Sequence, residues 1–235
     1  SKIVFALDAL AGARVFPVGK PSGRMREVWN GSLMSAAAVP PPVPPHLASP
    51  TALLTLEVGP GEFVYVSKRD ARVYFDQLKL PEALRPYFGR PAVRAGDLVT
   101  FGGFTWAELR TLLGDDSRER DLIYPLCTSF PMGFSWSSFL AQTVLLTRCA
   151  ESGLDVSMVL SDCNPCPKDL SQTFALATDD VMIFTVAGPG AKDPSKRARA
   201  RLDESIAKRG IQGALEKDVN DQLNATVIGV DVCDG

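Results

Sequence analysis

The sequence predicts an α+β protein in which antiparallel strands are backed by helices. Two apolar segments, 173–176 and 181–184, flank Asp179-Asp180 and predict a hairpin with two adjacent carboxylates at its tip. Residues 62–67 alternate as a strand that delivers Asp70, and a helical period follows. Neighbouring carboxylates between apolar strands are costly unless a cation or a basic partner neutralises them. A divalent metal is therefore the first ligand to expect.

The bulk composition is that of a soluble globular protein. The 235 residues suffice for one large domain or two subdomains, with 46% apolar and 22% charged residues. The start of the chain lacks a signal-peptide pattern, and no apolar run approaches the roughly 18 residues of a membrane span. Five irregularly spaced cysteines argue against a disulfide framework. We expect an intracellular protein, nuclear or cytoplasmic, without a membrane partner.

The net charge of the chain is only -2, so the protein as a whole does not attract nucleic acid. Binding of nucleic acid would have to depend on local basic patches. Basic residues outnumber acidic ones in 1–30 and in 192–209. Each run is also compatible with an ordinary solvated face.

The first half of the chain is predicted as strands, a connector and short helices. Short β-prone runs open the chain, and Lys20-Pro21-Ser22-Gly23 predicts a turn between two strands. The proline run 39–45 predicts an extended connector, with an SH3-type ligand as the alternative. Ser49 and Pro50 predict the cap and first turn of a helix through Leu56.

The second half is predicted to alternate helices with the central hairpin. Helices are expected near 82–87, at 105–113, from 134 to about 152 and at 193–209, and a final strand at 225–232. Asp115-Asp116 lacks flanking apolar strands and is predicted to be a solvated loop. Cys163 and Cys166 have the spacing of half a zinc site, but the single histidine, His46, is remote in sequence, which favours a turn with two ordinary thiols.

Three motifs, in their order and spacing, resemble those of the reverse transcriptase palm, and the resemblance covers nearly the whole chain. The first is Asp70 with an aromatic five positions later and a glutamine seven later. The second is Pro131-Met-Gly-Phe-Ser-Trp with a glutamine eleven residues beyond the proline. The third is Ala177-Thr-Asp-Asp followed by Val-Met-Ile-Phe, where the family mostly has an aromatic in place of Ala177.

The resemblance implies the fold of a right-hand polymerase, with fingers and palm, an antiparallel palm sheet backed by helices, and the thumb absent. It divides the chain into alternating segments: 1–60 fingers, 61–91 palm with the first motif, 92–128 fingers, and 129–235 palm with the later motifs. A thumb, an RNase H domain and an integrase are expected as further domains of a longer polyprotein.

The function implied is template-directed nucleotidyl transfer by an RNA-directed DNA polymerase of a retroelement. Its partners would be an RNA or DNA template with a primer, and dNTPs. Two Mg²⁺ or Mn²⁺ ions roughly 3.5–4 Å apart would stabilise the attacking and leaving oxygens of phosphoryl transfer. Mg²⁺ prefers hard oxygen ligands, which suits aspartates.

The resemblance assigns roles residue by residue. The catalytic group comprises Asp70, Asp179, Asp180 and Lys217, the lysine being the proton donor to pyrophosphate. The metal ligands would be Asp70, the carbonyl of Ala71, Asp179 and, more weakly, Asp180. The dNTP would contact Lys20, Arg24, Arg26, Phe75, Met132 and Gly133, with Arg26 as the bidentate phosphate ligand and Phe75 rejecting a 2′-hydroxyl. Primer and template would contact Gln77 and Gln142.

Three alternatives stay open. One is a degenerate palm that binds nucleic acid without catalysis, and Ala177 together with Asn30-Gly31-Ser32 departs from the family pattern. Another is a related palm polymerase that makes RNA or works without a template. The last is a small-molecule or protein-interaction domain built around the proline run.

Overall fold

The structure is a computed structural model, and it describes residues 3–20 and 23–235. The strands are β1 Ile3–Ala6, β2 Val15–Gly19, β3 Met25–Trp29, β4 Phe63–Asp70, β5 Val93–Arg94, β6 Leu122–Cys127, β7 Val159–Leu160, β8 Thr173–Ala177, β9 Asp180–Ala187, β10 Val219–Gln222, β11 Ala225–Val227 and β12 Val230–Val232. The α-helices are α1 Ser32–Ala37, α2 Pro50–Leu53, α3 Tyr74–Gln77, α4 Ala95–Thr100, α5 Trp106–Leu113, α6 Ser135–Glu151 and α7 Lys196–Lys208. Short 3₁₀ turns cover Glu82–Tyr87, Val156–Met158 and Leu215–Lys217.

The chain folds into two compact units with discontinuous sequence. The first contains Ser1–Pro41 and Phe75–Ser137, and the second contains Pro42–Tyr74 and Ser138–Gly235. These boundaries differ from the segments that the resemblance implies. Residues 42–60 belong to the second unit because Ala48, Ala52 and Leu53 are buried in its core.

The first unit is built on a three-stranded sheet and a separate hairpin. The sheet has the order β1-β6-β5, and β2 pairs with β3 through the predicted turn, of which Pro21 and Ser22 lie outside the described residues. Thr105 caps α5 in a capping box with Glu108, which confirms the predicted start of this helix. One core of this unit contains Trp29, Leu80, Phe88 and Cys127.

Two glycines of the first unit allow a close backbone approach. A Cβ on Gly133 would overlap the carbonyl oxygen of Trp29, and a Cβ on Gly31 would overlap the carbonyl oxygen of Gly133. Gly133 also has φ 111°, a conformation that side chains disfavour. The Pro131-Met-Gly turn and the end of β3 therefore fit together only with glycine at both positions.

The second unit is organised around a five-stranded sheet of order β10-β4-β9-β8-β7. Its pairings are antiparallel except that of β7 with β8. Val66, Met182 and Phe184 are almost fully buried on one face, where α2 and the β11–β12 hairpin cover them. On the other face, Arg69 bonds to Asp203 of α7, and Ser67 bonds to Ser195, the residue before α7.

Several predicted elements are changed by the structure. The strand predicted at 62–67 extends through Asp70, and the helix after it is reduced to the four residues of α3. The strand predicted at 225–232 is a hairpin, because Ile228 and Gly229 both have positive φ and turn the chain. The proline run forms neither helix nor strand, as predicted. Among the described residues, no helix is long and apolar enough to cross a membrane.

Candidate active site

The second unit brings three carboxylates to one end of its sheet. In the antiparallel register of β4 and β9, Asp70 lies directly opposite Asp180. Asp179 occupies the turn that precedes β9, and its carbonyl oxygen accepts a hydrogen bond from Ala71 N at 2.8 Å. Residues that are far apart in sequence are therefore neighbours here because β4 pairs with β9 along its whole length.

The turn that carries Asp179 is tightly constrained. Thr178 has φ 60°, an unfavourable value for a β-branched residue, and Asp179 N donates to Ala177 O at 2.7 Å across it. The Oε1 atom of Gln142, on α6, accepts a hydrogen bond from Thr178 N at 2.9 Å. This bond helps to hold the turn in a conformation that its own sequence does not favour.

Gln142 is fully buried, which changes the role expected for it. Its Nε2 atom donates to the carbonyl oxygens of Pro45 and His46, at 3.0 and 3.2 Å. Both the oxygen and the nitrogen of its side-chain amide thus form hydrogen bonds inside the protein, and none of its surface is exposed to a primer or template. In this structure Gln142 positions the Asp179 turn and anchors the end of the proline connector.

Two lysines bind the carboxylates. Lys217 Nζ lies 2.6 Å from Asp70 Oδ2, and Lys68 Nζ lies 2.9 Å from Asp180 Oδ2. Lys217 is one of the site residues predicted from the sequence, whereas Lys68 is not. The overlooked signal is the strand alternation: Lys68 lies two positions before Asp70, on the same face of the sheet and diagonal to Asp180.

Burial raises the pKa of the Asp179 and Asp180 carboxyl groups. Desolvation raises the pKa of Asp179, and the negative charge of Asp70 raises it further. Desolvation also raises the pKa of Asp180 to about 6, against the stabilising hydrogen bond and charge of Lys68. The hydrogen bond to Asp70 raises the pKa of Lys217. The cluster thus favours cations at close range.

Arg69 fixes the segment that carries Lys217. Its guanidinium bonds to both carboxylate oxygens of Asp203 on α7, at 2.7 and 3.1 Å, and to the carbonyl oxygen of Val219 at 3.1 Å. It also pairs with Asp218 at 3.5 Å. Arg69 therefore ties α7 and the 218–219 backbone to β4, immediately beside the lysine that contacts Asp70.

A cavity of about 260 Å³ lies beside the carboxylates within the second unit. Leu145, Val181 and Ile206 contribute apolar walls, and Asp70 and Asp179 lie at its lining. The carboxylates therefore border an apolar space as well as each other, which accounts for their partial desolvation.

The oxygen donors at this site are of the kind that a divalent metal binds, although Asp70 and Asp180 are paired with lysines. Asp180 Oδ1 is buried without a hydrogen-bond partner, so one hard oxygen donor is unused. Ala71 is buried and forms an isolated bridge with Gly213 beside Asp70. Within residues 3–20 and 23–235, no group of three or more His, Cys, Asp or Glu side chains is already arranged as a metal site.

The other predicted site residues belong to the first unit. Lys20 N bonds to Arg24 O at the end of the β2–β3 hairpin, and the side chains of Lys20, Arg24 and Arg26 are exposed. Arg26 Nη1 lies 3.8 Å from the sulfur of Met132, so two predicted dNTP contacts are adjacent. Phe75 and Gln77 are partly buried, and Gly133 is exposed in its turn.

The Cys163–Cys166 turn is closer to His46 than the sequence suggests. His46 Nδ1 lies 2.8 Å from Asn164 Nδ2, and both cysteines are free thiols. This side-chain contact joins the turn to the end of the proline connector, and the interpretation of its two cysteines as ordinary thiols stays a prediction.

Comparison with solved structures identifies the architecture. The foamy viral protease-reverse transcriptase dRH in complex with ds DNA matches over 99% of this chain, with a TM-score of 0.64 and 14% identity. The chain has a reverse transcriptase-like fold. The native protease-reverse transcriptase of Prototype Foamy Virus matches over 97% with a TM-score of 0.58 and 16% identity. A foamy viral protease-reverse transcriptase in complex with RNA/DNA hybrid matches over 98% with a TM-score of 0.57 and 15% identity.

The likeness is one of fold at low sequence identity. This chain spans 31% of the first of these proteins and 24% of the other two. Comparison of the sequence with protein-family models and with curated proteins finds no match.

Proposed function

We propose that the chain is the fingers and palm part of an RNA-directed DNA polymerase that transfers nucleotides to a primer on an RNA or DNA template. The observation that carries this proposal is the register that sets Asp70 opposite Asp180, with Asp179 in the adjoining turn, on a reverse transcriptase-like fold. The solved complexes of similar fold contain dsDNA or RNA/DNA hybrid, which supports nucleic acid as the partner.

The three carboxylates and the carbonyl oxygen of Ala71 would together bind two divalent ions, either Mg²⁺ or Mn²⁺. When bound, such ions stabilise charge on the transferred phosphate and lower the pKa of the attacking hydroxyl. Lys217, whose Nζ atom lies 2.6 Å from Asp70 Oδ2, is the proposed proton donor to pyrophosphate.

The first unit would supply the nucleotide contacts. Arg26 offers a planar guanidinium for bidentate binding of phosphate oxygens, with Lys20 and Arg24 adding charge. Met132 would contact the nucleotide through its apolar surface, with Gly133 beside it, and Phe75 would exclude a 2′-hydroxyl. Gln77 remains the proposed template or primer contact.

Primer extension tests this function directly. The full chain is incubated with a primed RNA template, Mg²⁺ or Mn²⁺, and either dNTPs or NTPs. We expect dNTP incorporation by wild type, its loss in Asp179→Asn, and gain of NTP use in Phe75→Ala. Equal use of both sugars by wild type would overturn the gate assigned to Phe75 and favour an RNA-synthesising palm polymerase.

A second candidate is a palm that binds nucleic acid without catalysis. The observation that favours it is the pairing of two of the three carboxylates, Asp70 and Asp180, with lysines. This candidate requires template-primer binding by wild type with no incorporation at any metal concentration. Any incorporation that depends on Asp179 would exclude it.

A further inference from the structure

Lys68 and Lys217 hold their carboxylates in different ways. The Lys217 side chain is 57% exposed and lies in a short 3₁₀ turn, whereas its partner Asp70 is only 8% exposed, so solvent reaches this pair from the lysine side. The Lys68 side chain is 17% exposed and its partner Asp180 is 20% exposed. Solvent therefore weakens the Lys68–Asp180 pair much less than the Lys217–Asp70 pair.

The backbone of Lys68 is fixed on both sides. β4 is an inner strand of the sheet, and Lys68 pairs with Met182 of β9 and with Val219 of β10. Since its Cα cannot shift, only rotation of the side chain can separate Nζ from Asp180. The oxygen of Asp180 that Lys68 does not contact, Oδ1, is buried as well. A cation that approaches Asp180 must therefore displace Lys68.

We infer that Lys68 is an internal counter-ion that occupies Asp180 and competes with a divalent metal for it. The inference rests on the proposed function, because it concerns the same carboxylates. With Lys68 in place, a divalent ion is bound by Asp179 and by Asp70, whose lysine is the exposed one, and Asp180 contributes only after Lys68 is displaced. The chain consequently binds divalent metal more weakly than its three carboxylates would allow.

The net charge of the cluster supports the same competition between Lys68 and a divalent metal. Three carboxylates and two ammonium groups carry a net charge of about -1, and removal of Lys68 makes it about -2. A divalent ion gains from each added unit of negative charge at short range. We expect Lys68→Met to tighten Mn²⁺ binding at least tenfold at fixed pH and ionic strength.

The experiment is a calorimetric titration of the full chain with Mn²⁺, repeated with Mg²⁺, at pH 7.5. Wild type is compared with Lys68→Met, Lys68→Gln and Lys68→Arg, each checked for folding by circular dichroism. Lys68→Gln keeps a hydrogen-bond donor without the charge and decides the result if Lys68→Met does not fold. Lys68→Arg keeps the charge and should bind metal as wild type does.

Two further variants separate local competition from general charge effects. Lys208→Met removes one positive charge from the exposed end of α7 and should leave Mn²⁺ affinity within twofold. In an Asp180→Asn background, Lys68→Met should no longer tighten binding, since there is no carboxylate to release. A tenfold gain that persists in the Asp180→Asn background would show that Lys68 acts at long range and would overturn the inference.

Failure of the inference is distinguishable from failure of the proposed function. If Asp179→Asn weakens Mn²⁺ binding but Lys68→Met and Lys68→Gln change it less than twofold, the metal site stands and the role of Lys68 is wrong. If Asp179→Asn leaves Mn²⁺ binding unchanged, the carboxylates are not the metal site and both proposals fail.

Discussion

Asp115-Asp116 and Asp179-Asp180 are the same dipeptide in two environments. Each follows a residue with positive φ, Gly114 at 91° and Thr178 at 60°. The first pair lies in an exposed turn after α5, as predicted for a solvated loop. The second joins two inner strands, and burial raises the pKa of both of its carboxyl groups. The difference shows that two adjacent aspartates need a neutralising cation only where flanking strands bury them.

The largest expected effect is on activity, and it separates the two pairs. Asp179→Asn should reduce nucleotide incorporation at least a hundredfold, about 2.7 kcal/mol of transition-state stabilisation. Asp116→Asn, the matched change in the exposed pair, should leave incorporation unchanged. Primer extension measures both, with circular dichroism as the folding control. An equal loss of incorporation in the two variants would show that the buried pair has no special role in activity.

The next effect concerns the arginines near each pair. Arg69→Met should destabilise the chain by about 3 kcal/mol, because Asp218 would remain partly buried without its basic partner. Arg118→Met, beside Asp115-Asp116, should cost less than about 0.5 kcal/mol, since Arg118 is exposed. Urea denaturation compares the free energies of unfolding. A cost for Arg69→Met as small as that for Arg118→Met would show that its bonds add no stability.

Gln142 should matter for the buried pair alone. Gln142→Leu leaves Thr178 N and the carbonyls of Pro45 and His46 without their side-chain partner, at a cost of about 2 kcal/mol. Gln222→Leu is the control, because Gln222 is exposed on β10 and bonds only locally. Thermal unfolding measures both, and an unchanged melting temperature for Gln142→Leu would contradict its positioning role.

The smallest effects concern the positive-φ residues. Gly114→Ala should cost about 1 kcal/mol or more, because φ 91° and ψ 168° suit glycine alone. Thr178→Gly should be neutral or stabilising by less than about 1 kcal/mol, since relief of strain is offset by greater freedom of the unfolded chain. The sign of each change, measured in urea, tests whether the Thr178 turn is strained.

The sequence predicted the elements of the candidate site better than its contacts. The apolar runs around Asp179-Asp180 specify a hairpin, and alternation before Asp70 specifies a strand, because both depend on local periodicity. That these strands lie side by side was implied only by the family resemblance, which paired Asp70 with Asp179, whereas the observed register sets Asp70 opposite Asp180. Register between remote strands is set by packing of the whole sheet, which local patterns do not encode.

Side-chain partners were the least predictable feature. Lys68 and Arg69 are adjacent basic residues that look equivalent in the sequence. In the structure they point to opposite faces of the sheet, where Lys68 pairs with Asp180 and Arg69 pairs with Asp203. Gln142 was assigned to nucleic acid from its motif, whereas its burial could be known only from the packing of α6. The functional roles of Lys20, Arg24, Arg26, Phe75 and Gln77 stay predictions.

The central position of β4 has a consequence for synthesis of the chain. Both of its sheet partners, β9 and β10, are translated much later, and Asp70 meets Lys217 across 147 positions. At typical elongation rates, β4 waits on the order of 10 s before β9 exists. During that interval the backbone N–H and C=O groups of β4 have no strand to pair with. The nascent chain therefore presents an unpaired, apolar strand, which can pair with strands of other chains, until β9 emerges from the ribosome.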